Sequence, residues 1–115
     1  MSYMLLIMEP QGQRAERTPE EGAQAFESML AFARGLKQRG LLRATESLRS
    51  AGVRVESRNG KLARIDGPFA ETKELLGGFF LLDCDDREQA VAIAAQCPAA
   101  GWATIEVREL GPCFT

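Results

Sequence analysis

Two apolar segments of strand length, two capped segments with helical spacing and one Asn-Gly turn between alternating residues predict an α+β fold for this 115-residue chain. The expected sheet is mainly antiparallel, with two helices on one face and an inserted β-hairpin. The length fits a single domain over residues 1–115, enough for a core without disulfides or metal.

Residues 3–8 are apolar on both faces and too short for a helix, so they read as a central strand. Residues 9–17 are polar, contain Pro10 and Gly12, and read as a loop. Thr18, Pro19 and Glu21 then spell a helix start: a cap, a proline in the first helical position and a capping-box partner. Phe26, Met29, Leu30, Ala33 and Leu36 fall on one stripe of a helix over 19–39. Gly40 ends it, after Lys37 and Arg39 in the last turn. A second strand is expected over 43–48, broken by Ser50, Ala51 and Gly52.

Residues 53–66 read as a hairpin around Asn59 and Gly60. A two-residue loop would put Val53 and Val55 on the face carrying Leu62 and Arg64. A three-residue loop from Arg58 pairs Val55 with Ala63 and Val53 with Ile65. That gives one consistently apolar face, and it is the register expected, with Gly60 left-handed. It sets Arg54 opposite Arg64 with Glu56 nearby, either a solvated face or an anion contact.

Residues 79–84 form another strand apolar on both faces. Asp85 as cap and Glu88 as its return partner open a second helix. Its buried face is expected to be Ala90, Val91, Ile93, Ala94 and Cys97, and Pro98 stops it. Residues 103–110 alternate partly and read as a last, half-buried strand. With the hairpin as an insertion the order is βαββαβ, the ferredoxin-like arrangement. Two helices cover one sheet face, so the apolar side chains of the other face call for a partner. A homodimer through that sheet face is expected.

A net charge of −2 and a pI near 5.2 leave no basic stripe for nucleic acid. The longest apolar runs, 4–8 and 79–82, fall far short of the ~20 residues of a membrane span. The N-terminus lacks the basic start and cleavage site of a signal peptide, so a cytoplasmic protein is expected. There is no histidine. That removes Ser-His-Asp and Cys-His nucleophiles and histidine metal sites, and leaves proton transfer to Asp, Glu, Lys, Tyr or Cys. Cys84, Cys97 and Cys113 fit no zinc spacing, and their odd count argues against a disulfide framework. The first two are expected to be buried and Cys113 exposed. Neither metal nor cofactor is expected.

The least generic stretch is residues 65–78. Asp66, Gly67 and Pro68 are turn formers by their own chemistry. Asp66 either ties that turn or serves as a general base or ligand contact at a cavity mouth. Phe69 is a core plug or a stacking platform. Glu71, Lys73 and Glu74 are a solvated cluster, or a lysine neutralising one carboxylate so that another can work. Gly77 and Gly78 mark a tight strand entry or a close backbone approach. Glu46 and Tyr3 sit on strands, and Glu46 is the candidate for a second pocket carboxylate.

Asp66, Gly67, Pro68, Phe69, Ala70, Glu71, Thr72, Lys73 and Glu74, followed by Gly77, Gly78 and an aromatic-apolar strand, resemble the signature of DGPF-domain proteins. These belong to the YCII-related family within the dimeric α/β-barrel superfamily. The resemblance spans nearly the whole chain, including Thr18, Pro19, Glu20 and Glu21, then Glu46, Ser47 and Leu48, and finally Val107, Arg108 and Glu109. It implies a ferredoxin-like subunit, and a dimer whose two sheets enclose a cavity. It further implies a binding or accessory protein of regulatory type for an unknown small molecule, with Gly67, Pro68, Phe69, Glu71, Lys73 and Tyr3 as ligand contacts. Association with sigma factors is implied by family analogy, since genes of members lie beside or are fused to those of alternative sigma factors. The alternative is a cofactor-free lyase or isomerase with Asp66 as general base and Glu46 beside it. The His–Asp pair that suggests enzymatic activity in YCII-type relatives cannot form here, because histidine is absent.

Overall fold

The computed structural model describes residues 1–69 and 71–114, so Ala70 of the central motif and the terminal Thr115 lie outside the described residues. The chain runs β1 (Ser2–Pro10), α1 (Gln13–Glu16), α2 (Pro19–Gln38), β2 (Leu42–Ser47), β3 (Val53–Arg58), β4 (Lys61–Asp66), β5 (Glu74–Asp83), α3 (Arg87–Gln96), a 3₁₀ turn (Pro98–Gly101) and β6 (Thr104–Glu109). Strands β2, β5, β1 and β6 lie in that spatial order, every neighbouring pair antiparallel, and β3 and β4 form a separate hairpin. This is the ferredoxin-like α+β fold, with the hairpin inserted between the second and third strands of the main sheet.

Alternation along β1 decides the layering. Tyr3, Leu5, Ile7 and Glu9 are buried on one face, while Met4, Leu6 and Met8 are half-buried on the other. Phe80 and Leu82 of β5 join the buried face, and Phe79 and Leu81 the half-buried one. The core is closed by Leu36 of α2 with Ala90, Ile93, Ala94 and Cys97 around α3, and Phe32 meets Phe80 edge-on at 5.3 Å between ring centroids. Among the described residues nothing packs over the second face deeply enough to bury Met4, Leu6, Met8, Phe79 or Leu81. A single chain does not close a barrel.

Helix α2 starts as its sequence dictates. The Thr18 side chain accepts the Glu21 backbone N–H at 3.1 Å, and Glu21 Oε1 accepts the Thr18 N–H at 2.9 Å. That backbone bond holds the Glu21 carboxyl below the ordinary carboxylate value, helped by the Thr18 side chain. A depressed carboxylate stabilises the fold above its unfolded pKa, and the gain is lost as pH falls through the lower, folded value. Thr18→Ala is therefore expected to cost about 1 kcal/mol in urea unfolding at neutral pH. The gap between wild type and Glu21→Gln should close as the pH is lowered into the carboxylate range. At the other end Gly40 takes φ 72°, and its N–H bonds the Lys37 carbonyl at 3.0 Å.

Three expectations need correction. The hairpin has the two-residue loop: Arg58 pairs with Lys61, Val55 with Arg64 and Val53 with Asp66. Asn59 (φ 53°) and Gly60 (φ 76°) are both left-handed, the type I′ geometry that matches strand twist. Every residue of β3 and β4 is exposed, so no burial enforces the apolar face that favoured a three-residue loop. Arg54 consequently opposes Ile65, not Arg64. Second, α3 is capped one residue later. Asp86 accepts the Gln89 N–H at 2.9 Å, and Gln89 returns to the Asp85 N–H at 2.7 Å. Third, Val91 on α3 and Phe26 on α2 are exposed rather than buried, at 41% and 53%.

Among the described residues, no helix is long and apolar enough to cross a membrane. Cys84 and Cys97 are buried and Cys113 is exposed. Burial pushes both buried thiols up from the ordinary cysteine value, which keeps them protonated and inert at neutral pH.

Candidate binding site

The sheet carries one buried charge among the described residues, Glu9, at the end of β1. Its neutraliser is Arg14 on the short helix α1: Arg14 Nε lies 2.7 Å from Glu9 Oε1, and Nη2 donates to Glu9 Oε2 at 3.3 Å. The same guanidinium donates to the Leu48 carbonyl at 2.6 Å and the Gly77 carbonyl at 3.1 Å. One planar fork thus ties β1, the segment after β2, and β5 together.

Gly77 is the extra residue of a bulge, since Ile7 pairs with Gly78 but Met8 with Leu76. A Cβ on Gly77 would overlap the Glu9 carboxylate, reaching within 2.6 Å of its Cδ and 2.9 Å of Arg14 Nη2. A Cβ on Gly78 would stand 2.9 Å from the Glu46 carbonyl oxygen. Both glycines are therefore required by close approach, of an ion pair in one case and of the neighbouring strand in the other.

Above this pair lies a cleft of about 570 Å³, between the N-terminal half of α2 and the buried face of the sheet. Phe26, Met29 and Leu30 of α2 form one wall, and Phe80, Thr45 and Trp102 lie across from it. Thr45 is spent on the Phe79 carbonyl at 2.8 Å. The charged side chains on the lining are Glu9, Arg14 and Arg17; Glu46 borders the cleft through its backbone, because it pairs with Phe79, whose side chain is on the opposite sheet face. Arg17 ends α1, with its guanidinium carbon 5.5 Å from the centroid of the Trp102 ring.

The residues singled out from the sequence separate into three places. Glu46, Gly77 and Gly78 line the cleft. Tyr3 is in the core at 3% exposure, and burial raises its phenol above the ordinary tyrosine value. Asp66, Gly67, Pro68, Phe69, Glu71 and Lys73 lie on the hairpin end and the loop after it, away from the cleft lining.

That loop is pinned from β3. Arg54 stacks 3.7 Å from the Phe69 centroid, donates to Thr72 Oγ1 at 3.1 Å and lies 3.7 Å from Glu71. The Gly67 N–H donates to the Gly52 carbonyl at 2.9 Å, the Gly67–Pro68 peptide is cis, and the Gln11 N–H donates to the Lys73 carbonyl at 2.9 Å. Asp66 is 69% exposed and pairs with Arg64 at 3.2 Å. It does not line the cleft.

Glu9, Arg14, Arg17 and Trp102 were missed by sequence reasoning, which took residues 9–17 as a polar loop. A signal existed for Glu9: it continues the odd-numbered series of Tyr3, Leu5 and Ile7, and so belongs on the buried face. No local pattern marks Arg14, because its partners are up to 63 residues away.

The chain matches the YCII-related domain family over residues 1–113. An uncharacterised protein of Rhizobium meliloti (strain 1021) is 31% identical over 114 residues, covering 96% of this chain and 92% of that protein. Among solved structures, the 5-chloro-2-hydroxyhydroquinone dehydrochlorinase of Burkholderia phenoliruptrix AC1100, in complex with 2,5-dihydroxybenzoquinone, aligns with a TM-score of 0.60. The alignment covers 96% of this chain and 94% of that one at 14% identity, a likeness of fold alone. With the family's domain matched across almost its entire length, the chain belongs to the YCII-related family.

Proposed function

We propose that this chain is a cytoplasmic, single-domain homodimer that binds a small molecule in the cleft beneath α2, in an accessory or regulatory role. The observation that carries the binding site is the cleft. Its volume of about 570 Å³ falls in the range of small-molecule sites, and its apolar walls converge on a few fixed polar groups. Phe26 strengthens the reading, because an aromatic ring left 53% exposed at such a wall gains burial from a ligand. Sigma-factor association remains the regulatory partner that family analogy suggests.

The surface supports the dimer. The chain exposes 8139 Å², against about 6,200 Å² for a compact monomer of 12.6 kDa. Its radius of gyration is 16.0 Å, against about 13 Å for a compact chain of this length. The excess reflects the protruding hairpin and the uncovered sheet face.

To test the site, a library of neutral and acidic aromatic fragments is screened by thermal shift against wild type and Ala25→Phe. Ala25 lies on the cleft wall and is half-buried, so the larger side chain fills the space from α2. Fragments should raise the wild-type Tm and leave the filled variant unmoved. If every fragment shifts both proteins alike, the cleft is not the site.

A second reading is lyase or isomerase chemistry, with Asp66 as general base, Glu46 as a second carboxylate, and Gly67, Pro68, Phe69, Glu71 and Lys73 as ligand contacts; Tyr3, buried in the core, has no access to that ligand. One observation favours it: the fold neighbour is a dehydrochlorinase. It requires a second subunit to enclose Asp66, which is paired only with Arg64 and exposed in one chain. Asp66→Asn separates the readings. On the cleft reading it leaves fragment affinity unchanged and stability within about 1 kcal/mol, as for an exposed ion pair. A tenfold loss of affinity would move the site to the hairpin loop.

A further inference from the structure

We infer that the ligand of the cleft is a planar aromatic carboxylate, with Arg17 as its anion contact; this rests on the cleft being the binding site. The cleft's three charged side chains do not have equal freedom. Glu9 and Arg14 neutralise each other, and Arg14 spends its Nε, Nη1 and Nη2 groups on Glu9 and two backbone carbonyls. Arg17 is held differently. Its Nη2 donates to Gln13 Oε1 at 3.3 Å, and Gln13 is fixed in turn by donating from Nε2 to the Trp102 carbonyl at 2.7 Å.

Among the described residues Arg17 has no carboxylate within ion-pair distance. Glu21, whose charge it feels, is committed to the Thr18 N–H in the helix cap. A guanidinium with most of its five donors free, half-buried and oriented over an indole, is set for a planar carboxylate.

The rest of the lining selects the body of the ligand. Phe26, Phe80 and Trp102 make part of the lining aromatic, which suits a flat ring.

Trp102 is the chain's single tryptophan, so its indole N–H gives one unambiguous reporter peak in a ¹H–¹⁵N spectrum. The probes are benzoate and its neutral isostere benzamide. Benzoate should bind at least tenfold more tightly than benzamide. In Arg17→Gln the benzoate-to-benzamide ratio should collapse to about one with benzamide affinity unchanged.

Equal binding of benzoate and benzamide by wild type, or a preference that survives in Arg17→Gln, overturns the ligand class while leaving the cleft as the site. If neither probe moves the Trp102 peak and Ala25→Phe behaves as wild type with both, the site itself is wrong. The two failures are distinct.

Discussion

Gly77→Ala should destabilise the protein by about 3–5 kcal/mol, the scale of breaking a buried ion pair, and lower its urea midpoint accordingly. Alanine is ordinarily better than glycine in a strand, so propensity alone predicts a small gain. The sign is reversed by what a Cβ would meet: Glu9 Cδ at 2.6 Å and Arg14 Nη2 at 2.9 Å. Those atoms end flexible side chains, but neither can swing aside cheaply. The Glu9 side chain is only 7% exposed, and Arg14 is fixed by contacts to two carbonyls. Moving the carboxylate leaves it buried without its cation. It also strips one donor from the Gly77 carbonyl, which takes bonds from both Arg14 and the Leu48 N–H at 2.8 Å.

Glu9→Gln should cost somewhat less, because Arg14 is 37% exposed and regains water when unpaired. The decisive measurement is the double variant. If Gly77→Ala acts through the ion pair, its cost shrinks by at least 1 kcal/mol once Glu9 is already neutral. Additive penalties would mean that the glycine is needed for some other reason.

The Gly77 case also shows where local reading of the chain reaches its limit. The helix start at Thr18 is set by neighbours in sequence, so its type and position could be read directly, and Asn59 and Gly60 marked the place of the turn though not its loop length. Gly77 and Gly78 were visible as a pair, but their cause lies on β1, α1 and β2, which only the folded sheet brings together. The hairpin register failed for a related reason. Pattern determines register where one face is buried, and the hairpin is buried on neither face within one chain, so the turn residues decided it. Phe26 falls in the stripe of α2 by spacing, yet that part of the helix stands over a cleft. Periodicity says which way a side chain points, not whether anything fills the space in front of it. The motif after β4 was legible as a family mark and as a turn. Arg54, which holds that turn through Phe69, Glu71 and Thr72, was legible only as a strand charge.

The open face of the sheet carries the other large expected effect. Leu81→Glu should convert the proposed homodimer to a monomer, raising its dissociation constant by on the order of 10⁴-fold. Leu81 points away from the helices, and its cross-strand neighbours are Met4 on β1 and Ala44 on β2. No cation stands opposite in either register, so a glutamate there would lie uncompensated in a dry interface. Stranding such a charge costs about 3–5 kcal/mol. Twofold symmetry places the substitution on both subunits at the same interface, so the penalty is incurred twice, which sets the size of the effect. In the monomer the same side chain projects to water, and the core of Leu5, Leu36, Leu82 and Ile93 is on the opposite face of the sheet. Folding should therefore survive. Circular dichroism of the variant should match wild type at low concentration, while sedimentation velocity shows half the mass. Thr104→Glu, at the edge strand β6 and away from the centre of the apolar patch, should leave the mass unchanged. A wild-type protein that already sediments as a monomer at micromolar concentration would refute the dimer. The 8139 Å² of exposed surface would then need another partner, with the sheet face as the first place to look for it.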